Sequence, residues 1–309
     1  MNKIQDCFQC ESSENLEKMF ETKDIYRKIS KEIFNYYNCS KCNHIFLRNI
    51  PNNLGEYYDD EYYDLPSIES LRKTALNEKF KFDIVRDYFN EGDKICEIGP
   101  SVGVFLYNAK LYGLKCTGIE MSTECCEFMS EILKINAINT NTPEIEIRKI
   151  EKQKAFFLWH SLEHIENPRE VLDACIEKLE PNGLIIIACP NPDSVGFKIT
   201  GKNWPHLDAP RHINLFSIDT LKTYMKKKNL KDTIKTTNDL SSKYYNLFSW
   251  QLFLFNFFNK NKTFNFKKKN FEYYFWKLVG KIVTIFMYPF ENKELKGSCY
   301  TIVFQKKES

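Results

Sequence analysis

Between residues 68 and 190 the apolar positions of the chain keep changing period. From Ile68 to Phe89 they return at helical intervals, at Leu71, Ala75, Phe82, Val85 and Phe89, which predicts a helix. Short apolar runs then predict strands at 94–98, 115–119, 144–148, 155–159 and 184–189, with helices around 104–112, 122–134 and 168–179. Alternation of this kind predicts an α/β fold whose doubly wound, mostly parallel sheet is covered on both faces. Two later segments, DTIKTTND at 232–239 and SCYTIVFQKK at 298–307, also read as strands and would pair at the sheet edge. A long insertion rich in phenylalanine and lysine separates them.

Before this core the pattern fails. Residues 1–50 contain CFQC at 7–10 and CSKC at 39–42, and two such knuckles supply four thiolates, the tetrahedral set that structural zinc prefers. Cys7, Cys10, Cys39 and Cys42 are therefore candidate metal ligands, and the unit reads as a zinc ribbon. Residues 51–67 mix proline, glycine, tyrosine and acids with no sustained period and read as a linker. The remaining units are a core over 68–240, a helical insertion over 241–296 and a last sheet strand over 297–309.

Composition narrows the class a little. A chain of 309 residues suits one catalytic domain with appendages, and a net charge of +3 makes no strong case for nucleic acid. Eleven cysteines, odd in number and unevenly spaced, fit reduced thiols, and the N-terminus has no apolar run of signal-peptide length, so a cytoplasmic protein is expected.

The strand at 94–98 runs into a glycine turn, EIGPSVG, and an acid, Glu120, closes the next strand in GIEMS at 118–122. A buried strand that delivers Glu97 and Gly99 to the sheet edge, with Gly103 opening a helix, describes a nucleotide cofactor pocket; an acid at position 120 can accept from both ribose hydroxyls. A dinucleotide fingerprint would need glycine at 101 and 104, where Ser101 and Val104 stand, and this weakens a hydride-transfer reading.

Four of the five histidines fall between 160 and 212: His160 and His164 in WHSLEHIENP, His206 and His212 in WPHLDAPRHINLFS. Both groups follow apolar strands and so reach the carboxyl edge of the sheet, where they can face each other. His160, nearest its strand tip, is the first candidate general base, with His212 as the other. Glu163 and His164 are placed to orient His160. His206, Asp208 and Arg211 are candidates for a polar acceptor, Arg211 as a fork for phosphate or carboxylate.

Taken in order, the two CxxC knuckles, NCSKCNHIFLRNIP running into YYDDEYY, EIGPSVG, HSLEH and APRHINLFS resemble the zinc-ribbon branch of class I S-adenosylmethionine-dependent methyltransferases over roughly residues 1–230. That resemblance implies a Rossmann-like sheet and S-adenosylmethionine as cofactor. It implies a pocket of Glu97, Gly99, Ser101, Gly103, Glu120, Met121, Trp159 and His160, in which Glu97 and the glycine turn hold the methionine end and Glu120 the ribose. Members act in bacterial surface-polysaccharide and natural-product pathways, so the expected acceptor is a small molecule or saccharide, with O-methylation favoured over C-methylation. The chain departs from the family at Gln153 and Lys154, where an aspartate usually enters the strand, and the adenine-binding segment between Asn136 and Lys154 carries no recognisable motif. An RNA methyltransferase and a non-catalytic zinc-ribbon adaptor are the rival readings.

Within the insertion, apolar runs at 246–258 and 276–290 flank the cationic stretch NKNKTFNFKKKN. Neither reaches the length of a bilayer span. Packing on the sheet or on a second subunit is one reading, peripheral contact of 246–290 with the inner face of the membrane a second, and single-stranded nucleic acid, which lysines with interleaved aromatics also serve, a third.

Overall fold

The structure is a computed structural model and describes residues 3–58, 65–265, 268–293 and 295–307. Residues 59–64 of the expected linker, and 266–267 and 294 of the insertion, lie outside the described residues.

The chain opens with five short strands: β1 (Lys3–Ile4), β2 (Leu16–Thr22), β3 (Phe34–Cys39), β4 (Ile45–Leu47) and β5 (Asn49–Ile50). The core follows as α1 (Ile68–Asp83), β6 (Lys94–Ile98), α2 (Val104–Leu111), β7 (Lys115–Glu120), α3 (Thr123–Glu127), β8 (Asn136–Asn139), α4 (Pro143–Lys149), β9 (Gln153–Trp159), α5 (Pro168–Glu177) and β10 (Leu179–Pro190). It continues through α6 (Val195–Thr200), β11 (Asn214–Leu215), α7 (Ile218–Lys227), β12 (Leu230–Thr236), α8 (Leu240–Phe258), α9 (Phe271–Glu291) and β13 (Cys299–Lys306).

Seven strands form the central sheet in the order β12-β13-β10-β9-β6-β7-β8. β13 runs antiparallel to both its neighbours, and the pairs among β6 to β10 are parallel. The strand period of two explains why both faces are dry. Phe156 and Leu158 of β9 join a core with α4, α5 and α7, whereas Phe157 and Trp159 turn the other way toward α1 and α2. Full burial of such side chains contributes about 1.5–3 kcal/mol each relative to exposure.

One predicted strand is a helix. The alternation EIEIR at 144–148 has a strand's period, but Pro143 stands at the first helical turn, acids fill that turn and Arg148 and Lys149 the last, which complements the helix dipole. Ile147 is the residue of that run that reaches the core. The third parallel strand lies earlier, as the short edge strand β8.

The N-terminal sheet is not closed within residues 1–50. Its order is β11-β4-β3-β2, so a strand from the APRHINLFS segment completes it. Phe34, Tyr36 and Leu47 share a core with Trp204, Leu207, Ile213 and Leu215, which fastens this unit to the carboxyl edge of the main sheet.

Candidate functional site

At the carboxyl ends of β6, β7 and β9 lies a cavity of about 780 Å³. Gly99, Ser101, Glu120, Met121, Trp159 and His160 of the expected cofactor set line it. The turn is built as its sequence requires. Gly99 has φ +68°, and a Cβ there would stand 2.8 Å from Cβ of Ser161, so only glycine lets the two strand tips close together. The Glu120 carboxylate accepts from the backbone N–H of Met121 (2.8 Å), Ser122 (3.0 Å) and Ser101 (2.9 Å), tying both loops while leaving lone-pair capacity toward the cavity.

Two residues of the expected set stand outside the lining. Gly103 caps α2 with φ +77°, and a Cβ there would meet Cγ of Met129 at 2.8 Å, so its small size serves helix packing rather than ligand approach. Glu97 is buried behind the turn, and one of its carboxylate oxygens has no hydrogen-bond partner among the described residues. Desolvation raises its pKa to about 8. A ligand ammonium would supply the missing partner, which fits the amino-acid end of S-adenosylmethionine. Thr140, Asn141, Thr142, Pro143 and Glu144, together with Leu54 and Tyr58 of the N-terminal region, also line the wall and have no motif that announces them. Gln153 opens β9 at the opposite end of the strand, so the departure there does not touch the cavity.

A second cavity of about 660 Å³ adjoins the first. His160 and His164 line both. The other walls are Tyr26 and Arg27, the loop bearing Pro205, His206, Asp208 and His212, and Tyr244, Tyr245, Phe248, Tyr273 and Lys277 of α8 and α9. The insertion between the last two strands is thus a wall of the site.

His160 marks the tip of β9. Its N–H continues the ladder to the Ala188 carbonyl at 2.9 Å, and its backbone then turns at φ +53°, a conformation rare for a non-glycine residue. The ring stacks on Tyr245 with centroids 4.4 Å apart, and Tyr245 stacks in turn on His206 at 4.5 Å. His160 Nε2 lies 3.3 Å from Oγ of Ser241, and Nδ1 faces Glu163. Burial works to raise the Glu163 pKa, but His160, His212 and His164 around it hold the carboxyl down, at about 2.

The other three histidines of the site each place a ring nitrogen on a backbone carbonyl, and His164 Nδ1 also lies 3.0 Å from the Tyr58 hydroxyl. His212 Nδ1 lies 2.7 Å from the His206 carbonyl, His164 Nδ1 lies 3.1 Å from the Arg211 carbonyl, and His206 Nε2 lies 2.9 Å from the Tyr245 carbonyl. Burial lowers His164 to about 4 and His206 to about 3. Glu163, His164 and His212 present ligand atoms within 4.8 Å of one another and can hold a metal ion.

Arg211 is not placed as a fork for an acceptor. Its side chain is fully buried; Nε and Nη2 donate to Asp208 at 2.9 and 2.6 Å, Nη2 to Asp24 at 3.2 Å and Nη1 to the Tyr57 carbonyl at 3.3 Å. The guanidinium is spent on clamping the histidine loop to the N-terminal unit. Asp208 is held well below the usual carboxylate range: burial opposes this, and the Arg211 charge overrides it.

The four paired cysteines converge, with all Sγ atoms within 4.8 Å of one another and Cys10 Sγ 3.6 Å from Cys39 Sγ. Zinc–thiolate bonds of 2.3 Å give a tetrahedral edge of about 3.8 Å, so the separation suits a shared ion and is far too long for a disulfide.

A family model described as a methyltransferase domain matches residues 71–234. The chain belongs to the methyltransferase-domain family. The ubiquinone biosynthesis O-methyltransferase of Paracidovorax citrulli (strain AAC00-1) is 23% identical over 117 residues, which cover 35% of this chain and 48% of that relative. The match therefore spans about half the relative's length. A SAM-dependent methyltransferase from Archaeoglobus fulgidus superposes with a TM-score of 0.50 at 18% identity, covering 77% of this chain and 97% of that one. An O-methyltransferase family protein from Burkholderia thailandensis gives 0.50 at 10% identity, covering 83% and 63%. These likenesses concern the fold. Family and fold agree: a methyltransferase domain on a sheet whose fold is that of a SAM-dependent methyltransferase.

Proposed function

We propose that this methyltransferase acts on a hydroxyl of a small-molecule or saccharide acceptor held in the second cavity, with His160 as general base. The reading is carried by the position of His160 in the wall common to both cavities. S-adenosylmethionine supplies a methyl group on sulfonium, open to in-line displacement by an acceptor oxygen. Glu97 and the Gly99 turn hold its amino-acid end, and Glu120 its ribose. His160 Nε2 takes the acceptor proton, and the buried Glu163 carboxylate at Nδ1 favours the imidazolium that results. The aromatic walls at Tyr26, Tyr244, Tyr245 and Tyr273 suit the apolar face of a sugar ring, which supports a role in surface-polysaccharide synthesis. Zinc on Cys7, Cys10, Cys39 and Cys42 braces the unit that carries β4, and β4 in turn holds β11 beside His212.

Calorimetry and turnover on a panel of nucleotide-linked and lipid-linked saccharides test the assignment. Glu120→Ala should abolish heat with S-adenosylmethionine, and His160→Ala should keep that heat and lose turnover. Undiminished turnover in His160→Ala overturns the base assignment, and isotope-labelled methyl appearing on carbon overturns O-methylation.

A further inference from the structure

We propose that the outer face of α9, with the lysine-rich loop before it, docks on an anionic lipid bilayer, and that the bilayer presents the acceptor to the second cavity. The second half of this statement rests on the methyl-transfer reading; the first does not.

α9 has two unlike sides. Its inner side is seated on α8: Gly280 approaches so closely that a Cβ would meet Cβ of Gln251 at 2.9 Å, and Trp250 Nε1 donates to Glu291 at 2.7 Å. The outer side carries Phe271, Phe275, Leu278, Ile282, Ile285 and Phe286 at spacings of three and four, one stripe of the helix. All six are exposed, Phe271 at 86% and Phe286 at 73%. An apolar stripe of this length left in water marks a contact surface.

Charge selects the occupant. Residues 259–282 contain seven lysines and one glutamate, more positive charge than the whole chain carries net. Two-fold pairing of this face with a second copy would set lysines against lysines, whereas an anionic bilayer answers both the charge and the stripe. No helix among the described residues is long and apolar enough to cross a membrane, so α9 would lie in the interfacial plane. Tyr273 and Lys277 of the same helix line the second cavity, so the docked face and the cavity wall are one element.

Flotation with vesicles of phosphatidylcholine plus phosphatidylglycerol, and of phosphatidylcholine alone, tests this on the full chain at low and high salt. The protein should float with the anionic vesicles at low salt and be largely released at high salt. Ile285→Glu combined with Phe286→Glu should leave it in the bottom fraction while S-adenosylhomocysteine binding and the melting temperature are unchanged. Lys268→Ala combined with Lys269→Ala should weaken partitioning roughly tenfold or more. Wild-type protein that stays at the bottom with both vesicle types overturns docking. So does light scattering that finds a dimer which the Ile285→Glu, Phe286→Glu variant splits. Flotation without methyl transfer to any acceptor would leave docking standing and overturn the proposed chemistry alone.

Discussion

Nδ1 of His160 lies 3.7 Å from Oε1 of Glu163, and neither atom has a hydrogen-bond partner among the described residues. A carboxylate that is 1% exposed, with one oxygen unsatisfied, is costly unless a positive charge arrives beside it. Protonation of His160 at Nε2 supplies that charge and shortens the contact into an ion pair. If His160 is the base proposed above, the ground state is arranged for the species that forms when it accepts a proton, the logic by which an orienting acid supports a general-base histidine.

Replacing Glu163 by Gln should therefore lower kcat by about 10²-fold, within the range of general-base effects, and leave cofactor affinity unchanged. Combining Glu163→Gln with His160→Ala should cost little beyond His160→Ala alone, since the two act as a unit. Steady-state kinetics with calorimetry checks this, and full additivity of the two losses would separate Glu163 from His160.

Arg211 is expected to matter for stability and not for the acceptor. Its removal in Arg211→Met leaves Asp24, itself 3% exposed, with backbone donors but without that buried cation, and frees Asp208 from its fork. Loss of one partner from a buried ionic cluster costs about 3–5 kcal/mol. Urea unfolding should show a loss of that order, with the KM for acceptor nearly unchanged at temperatures where the variant is folded. A raised KM with undiminished stability would restore Arg211 as a ligand fork.

The contrast between Arg211 and His160 shows what the sequence makes legible. Strand tips are readable because an apolar run followed by a glycine turn, or by a histidine, has to end at the sheet edge; Gly99, Glu120 and His160 are found that way. Partners supplied from far along the chain are not. Asp24, which claims Arg211, is 187 residues away, and Tyr245, which stacks on His160, comes from an insertion whose apolar runs announce only burial. The strand expected at 144–148 fails for a local reason, since the alternation of EIEIR competes with Pro143 and a dipole-matched charge order, and the latter prevails.

Removal of zinc should act at a distance. Chelation is expected to release one ion per chain from Cys7, Cys10, Cys39 and Cys42 and to loosen the sheet they brace. Because β11 pairs with β4, and Tyr36 donates to the His212 carbonyl at 2.6 Å, the histidine loop loses its anchors. Hydrogen exchange should rise in residues 34–47 and 212–216 together, with turnover falling while S-adenosylhomocysteine still binds at Glu120. Metal analysis that finds no zinc removes the ribbon assignment.

Acid should draw a loss of stability from the buried histidines, offset in part by Glu97 and Glu291, whose pKa values burial raises to about 8 and about 7 and which favour the folded chain as pH falls toward 4.5. His44 and His206 are buried and neutral, their pKa values lowered by desolvation from 6.5 to about 4 and about 3. Between these values and 6.5 each of these two histidines binds more protons in the unfolded chain than in the folded one, so the stability they contribute is fully present above 6.5 and is lost as pH falls. The slope approaches about 1.4 kcal/mol per pH unit for each histidine. A second loss follows below 4.5, where Glu163, held near 2 in the fold, gains protons in the unfolded chain first. His44 stacks on Phe46 and Phe216 at 5.4 and 5.1 Å, so His44→Phe should keep the packing and reduce the slope between pH 6.5 and 4. Thermal unfolding followed across that window decides it: a slope equal to that of the unmodified protein would mean that His44 takes up its proton while folded.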